Sequence, residues 1–231
     1  MNPIPTRFLG TLLNSTTRRN LLVSGAAGLV VGCTIPPTIT NLVSAVDLVL
    51  RGVPDAPFTP EYIENLAYAT LTAKIGRGQR VLLVLSEFDG PDLKWQSANN
   101  ATLVTRGGRL IKTAGLDYNL RETQGIEDDP ISSRNLQFEG KFIRTVDIES
   151  GGYGIPIEST FNIIGQEKIK ILNNERITIK IDEINSARSI RWKFKNTFWL
   201  DTDTGFVWKA IQHFNPLSPP IEIQITKPAN Q

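Results

Sequence analysis

Arg191-Trp192-Lys193-Phe194-Lys195-Asn196-Thr197-Phe198-Trp199-Leu200 is the stretch that decides the fold class. Trp192, Phe194, Phe198 and Leu200 fall on one face, and Arg191, Lys193, Lys195, Thr197 and Trp199 on the other. That period of two belongs to a half-buried strand, not to a helix. A second aromatic run, Phe206 to Phe214, follows Asp201-Thr202-Asp203-Thr204-Gly205, so two strands flank a polar turn that ends in glycine. Just upstream, Ile177, Ile179 and Ile181 alternate with Arg176, Thr178, Lys180 and Asp182, with Asn173-Asn174 supplying the turn before them.

Toward the N-terminus the same signal recurs. Gly76-Arg77-Gly78 separates a strand over 69–75 from one over 80–87. Val81 to Leu85 is apolar at every position, which predicts cover on both faces. Asp89-Gly90-Pro91, Asn99-Asn100 and Gly107-Gly108 punctuate short strands around Trp95, Leu103 and Leu110. From Gly115 to Asn135 no period is visible, and a loop or short helices crossing a sheet edge is expected there. Its adjacent acids, Asp128-Asp129 before Pro130, read as a solvated turn. No internal repeat occurs. Many short strands at even spacing predict a mainly β protein, an antiparallel meander curled into a half-open or closed barrel with a short N-terminal helix.

The first 32 residues read as an export signal, not as fold. Arg18-Arg19 precede an apolar run, Leu21 to Val31, shorter than the roughly 20 residues a spanning helix needs. Val30-Val31-Gly32-Cys33 resembles the lipobox of bacterial lipoproteins, in which cleavage leaves a diacylated cysteine. Cys33 is the single cysteine of the chain. Thr17-Arg18-Arg19-Asn20-Leu21-Leu22 resembles the twin-arginine export motif, with Leu21 where phenylalanine is commoner. Thr34, not aspartate, follows the cysteine, which by analogy with Gram-negative sorting points to the outer membrane. Two prolines then make a tether, and Thr38 or Thr40 can cap a helix to about Arg51 carrying one apolar stripe, Leu42, Val43, Val46, Val49 and Leu50. Pro60 to Asn65 predicts one more helical turn, capped by Thr59. The expected division is a signal peptide over 1–32, a lipidated tether and helix over 33–58, and one β domain over 59–231.

Three of the 25 basic residues, Arg7, Arg18 and Arg19, precede the cysteine, leaving 22 against 23 acidic ones. A near-neutral mature domain argues against nucleic acid as partner. One histidine and one cysteine, far apart, make a zinc site from those ligands implausible, and a lone cysteine excludes an internal disulfide. Asp201-Thr202-Asp203-Thr204-Gly205 superficially matches a calcium loop, but its glycine comes one place early and the distal glutamate is missing, so a hairpin turn is expected. His213 reads as a rim residue. Neither a nucleophile elbow nor a phosphate-binding glycine loop occurs, so neither catalysis nor a cofactor or metal is expected. The feature that invites a functional reading is the outer row Arg191, Lys193, Lys195 and Trp199, as a contact for a partner or an acidic glycan.

Trp95, Ala101-Thr102-Leu103-Val104-Thr105, Gly108-Arg109-Leu110-Ile111-Lys112-Thr113 and Asn119-Leu120 together resemble the core signature of the YjbF/GfcB lipoproteins. Arg191-Trp192, Asn196, Phe198-Trp199-Leu200-Asp201 and Gly205 continue the likeness. The resemblance implies an outer-membrane lipoprotein facing the periplasm, with a curled β-sheet. It implies an accessory or scaffold role in capsule or exopolysaccharide secretion, beside a periplasmic protein and an outer-membrane β-barrel protein of the same system, with polysaccharide itself as a further contact. It carries over no catalytic residue. Two alternatives stand beside it: a half-barrel that shelters a lipid or glycan, which needs an apolar cavity above roughly 300 Å³, and a glycan-cleaving enzyme, which needs two carboxylates about 5–9.5 Å apart in a cleft.

Overall fold

The computed structural model describes residues 58–133 and 140–229. Arg18, Arg19, Cys33 and the helix expected up to Arg51 lie outside the described residues. The first element is the short helix α1, Pro60–Glu64, where the Thr59 hydroxyl accepts from the Tyr62 N–H and Pro60 occupies the first turn.

Twelve strands follow. They are β1 (Thr70–Ile75), β2 (Val81–Asp89), β3 (Asp92–Ser97), β4 (Thr102–Arg106), β5 (Arg109–Ala114) and β6 (Leu120–Gln124). After a loop come β7 (Phe142–Ile148), β8 (Gly152–Ile171), β9 (Asn174–Ala187), β10 (Trp192–Asp201), β11 (Val207–Gln212) and β12 (Ile221–Lys227). They form a single antiparallel sheet in the order β5-β4-β3-β2-β1-β12-β11-β10-β9-β8-β7-β6. The sheet curls into a nearly closed barrel, in line with the meander read from the sequence. Pairing of β1 with β12 brings the two halves of the chain together.

The two outermost strands, β5 and β6, meet without a backbone ladder, and side chains close the seam instead. The Thr113 hydroxyl accepts from Leu120 N–H at 2.9 Å, the Thr123 hydroxyl donates to the Ile111 carbonyl at 2.8 Å, and Lys112 reaches Glu122 at 3.4 Å. Threonines satisfy backbone groups that an open edge would leave exposed.

Alternation along the strands fills the interior. Leu71, Leu83, Trp95, Leu103, Ile157 and Phe194 belong to one core cluster drawn from six different strands. A second cluster, with Ile131, Ile181, Phe198 and Leu200, packs beneath the β6–β7 loop. Cover on both faces of Val81 to Leu85 is only partial: Leu83 and Leu85 are buried on the inner face, whereas Leu82 and Val84 on the outer face are half-buried. An outer barrel wall faces water, so apolar side chains there are simply tolerated. Within the stretch expected to lack strands, Leu120–Gln124 forms β6 and pairs with β7.

The meander gives the barrel two distinct ends. At the near end lie α1, the start of β1, the β2–β3, β4–β5 and β10–β11 turns, and the end of β12, where Lys227 donates to the Glu64 and Leu66 carbonyls. At the far end lie the β1–β2, β7–β8, β9–β10 and β11–β12 connections.

Candidate functional site

Two features stand out against the apolar interior: a buried charge cluster and a cleft at the near end. The cluster begins with parity. Ile181 points inward, so Glu183 and Asn185, two and four residues on, must do the same, and both are buried. Arg144 is buried on β7 by the same alternation with Val146. Arg109 opens β5, and Asp129 is carried in by the β6–β7 loop, anchored on either side by buried Ile126 and Ile131.

Arg109 holds both carboxylates at once. Its Nε and Nη2 donate to Asp129 at 2.6 and 2.9 Å, and its Nη1 and Nη2 donate to Glu183 at 3.2 and 2.9 Å. Arg144 Nη1 donates to Glu183 Oε1 at 3.1 Å and to Ser159 Oγ at 2.7 Å. Asn196 Nδ2 donates to Glu183 Oε2 at 2.7 Å. The rings of Phe142 and Phe198 lie 5.5 and 5.4 Å from the Arg109 guanidinium carbon. Two positive and two negative charges are thus matched out of contact with solvent, the condition under which buried ions persist.

Burial pushes the Glu183 carboxyl up, but Arg109 and Arg144 outweigh it and hold it down at about 2. Burial lowers the Arg144 guanidinium to about 10, with Glu183 opposing and Arg109 assisting. Arg109 is lowered by burial yet raised overall by Asp129 and Glu183. The cluster forms a latch that ties β5, at one margin of the seam, to the β6–β7 loop and across the interior to β7 and β9.

The expectation of a solvated turn at Asp128-Asp129 is thus corrected for Asp129, which is wholly buried. An acid before proline reads as surface because nothing local reveals a partner 20 residues away. The usable signal was the pair of isoleucines, Ile126 and Ile131, bracketing the acidic run.

The cleft lies between the β2–β3 and β4–β5 hairpins, the start of β11 and the end of β12, with a volume of about 510 Å³. Leu93, Trp95, Val207, Ala210, Ile223 and Ile225 make its apolar wall. Glycine is required at its edge. Gly108 has φ +92°, and a Cβ there would come within 2.4 Å of Val207 Cβ.

The outer row has a mixed outcome. Lys193 and Lys195 are exposed on β10, and Lys195 Nζ bridges Asp182 at 2.8 Å. Arg191 is exposed but lies in the β9–β10 connection with φ 55°, outside the strand. Trp199 is corrected: it is 5 % exposed, covered on the outer face by Ile169 and Ile171 of the β8–β9 hairpin. Lys180 and Lys209 approach its ring at 5.2 and 4.9 Å. Asp201 accepts from the N–H groups of Asp203 and Thr204 and from Trp208 Nε1, as a hairpin turn requires. His213, half-buried beside Phe194, has its Nδ1 3.0 Å from the Lys195 carbonyl, and burial lowers its pKa.

Comparison with known proteins places this geometry. Residues 43–226 match the family described as group 4 capsule polysaccharide lipoprotein gfcB, YjbF. The chain is 30 % identical over 215 residues to the lipoprotein GfcB of Escherichia coli (strain K12), covering 91 % of this chain and 99 % of that protein. It is 27 % identical over 186 residues to the lipoprotein YjbF of the same organism, covering 79 % and 86 %. The crystal structure of the hypothetical lipoprotein YmcC from Escherichia coli (K12) superposes with a TM-score of 0.68 at 28 % identity, covering 83 % of this chain and 96 % of that one. With the match spanning the latch, the cleft and nearly every strand, the chain belongs to the YjbF family of group 4 capsule polysaccharide lipoproteins.

Proposed function

We propose that this protein is a lipid-anchored accessory component of capsule or exopolysaccharide secretion, held through Cys33 at the periplasmic face of the outer membrane and acting by contact, not catalysis. Export under the signal containing Arg18 and Arg19 delivers it there, beside periplasmic and outer-membrane β-barrel proteins of the same system. The observation that carries this reading is the opposition of the two barrel ends. The described chain begins at the near end, whereas exposed Arg191 and Lys193 sit at or next to the far end. A domain tethered where its described chain begins would present the other end to its partners. Local charge of this kind steers association and fixes register.

The test uses Arg191→Glu with Lys193→Glu, which leaves the Lys195–Asp182 bridge intact. Folding and membrane attachment should be unchanged, while recovery of export partners falls by on the order of tenfold, the scale on which steering charges act. Unchanged recovery and unchanged polysaccharide secretion in the folded variant would remove the basic residues from the contact. Release of sugars from the host polysaccharide by the purified protein would overturn the non-catalytic reading.

A second reading has its own observation. The near-end cleft, at about 510 Å³, lies in the size range of ligand pockets, about 300–1,000 Å³. It favours a half-barrel that carries a lipid or glycan while anchored, and mass spectrometry of the intact protein as isolated tests for a retained guest.

A further inference from the structure

We infer that the near-end cleft receives one acyl chain of a membrane lipid; the inference rests on the carrier reading and narrows its cargo. The chemistry of the wall makes the choice between lipid and glycan. A sugar needs several hydrogen-bonding groups aimed at it, because each buried hydroxyl left unpaired is costly. The charged and hydroxyl side chains among the described residues of this wall are already engaged. The Thr105 hydroxyl accepts from Trp95 Nε1, and Ser132 Oγ donates to Asp129 Oδ2. Arg106 is bound through Nε and Nη2 to both oxygens of Asp92, and Lys209 pairs with Glu222. Beside these engaged groups and the backbone, the larger part of the surface facing the space is apolar, made of aliphatic side chains and the indole rings of Trp95 and Trp208. An acyl chain needs only such apolar surface, and the volume suits one long chain.

The surroundings of the mouth point to the membrane as the source. Tyr62, Tyr68 and Phe88, exposed by 53, 63 and 53 %, lie at the near end with the cleft, whereas Tyr118 and Tyr153 are exposed at the far end, away from it. Tyr68 and Phe88 border a shallow hollow that shares Ala229 with the cleft, so exposed aromatic surface runs on from the mouth. Aromatic side chains with one apolar and one wet side are the residues that settle at a bilayer surface. This is also the end where the described chain begins. An anchored barrel with its near end on the bilayer offers the cleft to lipid chains at high effective concentration.

The experiment uses the processed, lipidated chain in vesicles of phosphatidylcholine brominated on its acyl chains, with tryptophan emission as the signal. Two of the four tryptophans, Trp95 and Trp208, line the cleft, so emission should fall by about half relative to unbrominated vesicles. Leu93→Asp, which places a carboxylate in the wall, should restore most of the emission while urea unfolding reports that the fold is kept. Ile225→Phe, which narrows the cleft without charge, serves if Leu93→Asp fails to fold. Unquenched wild-type emission, or equal quenching in the folded variants, overturns the inference. If bromination has no effect but emission shifts on adding oligosaccharides from the host polysaccharide, the acyl assignment fails while the carrier reading stands. If neither ligand alters emission, both fall.

Discussion

Glu183 shows how much one residue can concentrate. It accepts from Arg109, Arg144 and Asn196 inside the barrel, with no measurable exposure. Glu183→Ala would leave Arg109 to be matched by Asp129 alone and Arg144 with no carboxylate, so urea unfolding should report a loss of about 3–5 kcal/mol. Acid should find the same residue. Its folded pKa of about 2 lies below the unfolded value, roughly 4.3. The contribution of the ionised carboxylate is therefore full above that unfolded value and is lost as pH falls toward 2, amounting to roughly 3 kcal/mol. Urea midpoints from pH 6 to pH 2 should fall steeply for the wild type and less steeply for Glu183→Gln. Parallel curves would assign the acid sensitivity to other groups. Glu183 shares its parity with buried Ile181, but Ile177 of the same row is exposed and Thr178 buried, so the alternation alone did not single it out. Asp129 was not legible either, because its partner is fixed by the path of a loop.

Among the elements, β10 carries the clearest test of the alternation. Phe194 is buried against Trp192, whose ring centroid lies 3.9 Å away, while Lys193 is exposed. Phe194→Asp buries a charge without a partner and should cost about 3 kcal/mol or more, whereas Lys193→Asp should stay within about 0.5 kcal/mol. Thermal unfolding of the two variants distinguishes them, and equal losses would mean that the inward face is wrongly assigned. The alternation fails at Trp199 for a reason that lies in another element. A bulge between Ile163 and Gly165 shifts the β8–β9 register, and the outer part of that hairpin brings Ile169 and Ile171 onto the outer face of β10. A period of two says which face a residue takes, but not whether a neighbouring hairpin covers that face.

At the scale of the molecule, the proposed anchor sets the orientation on which both readings of the site depend. Cys33→Ser should abolish acyl labelling and leave the signal uncleaved, so the protein runs larger on gels by the length of the signal. Persistent label on the variant would move the anchor elsewhere. Replacing Arg18 and Arg19 together by lysine should block export if the twin-arginine route is used, and normal export would assign the general secretory route.

Local pattern alone established the class of this protein. The period-2 runs with glycine and asparagine between them specify antiparallel strands, because side chains alternate and turns demand particular backbone angles. The Thr59 cap, the Asp201 turn and the inward face of β10 were legible for the same reason: each is settled within a few residues. Tertiary structure decided the rest. The seam joins β5 to β6 through side chains, the latch joins residues 20 and 74 positions apart, and the cleft is walled by five separate segments. Such features arise only when the sheet curls and brings distant segments together, and no local periodicity encodes the distance between them.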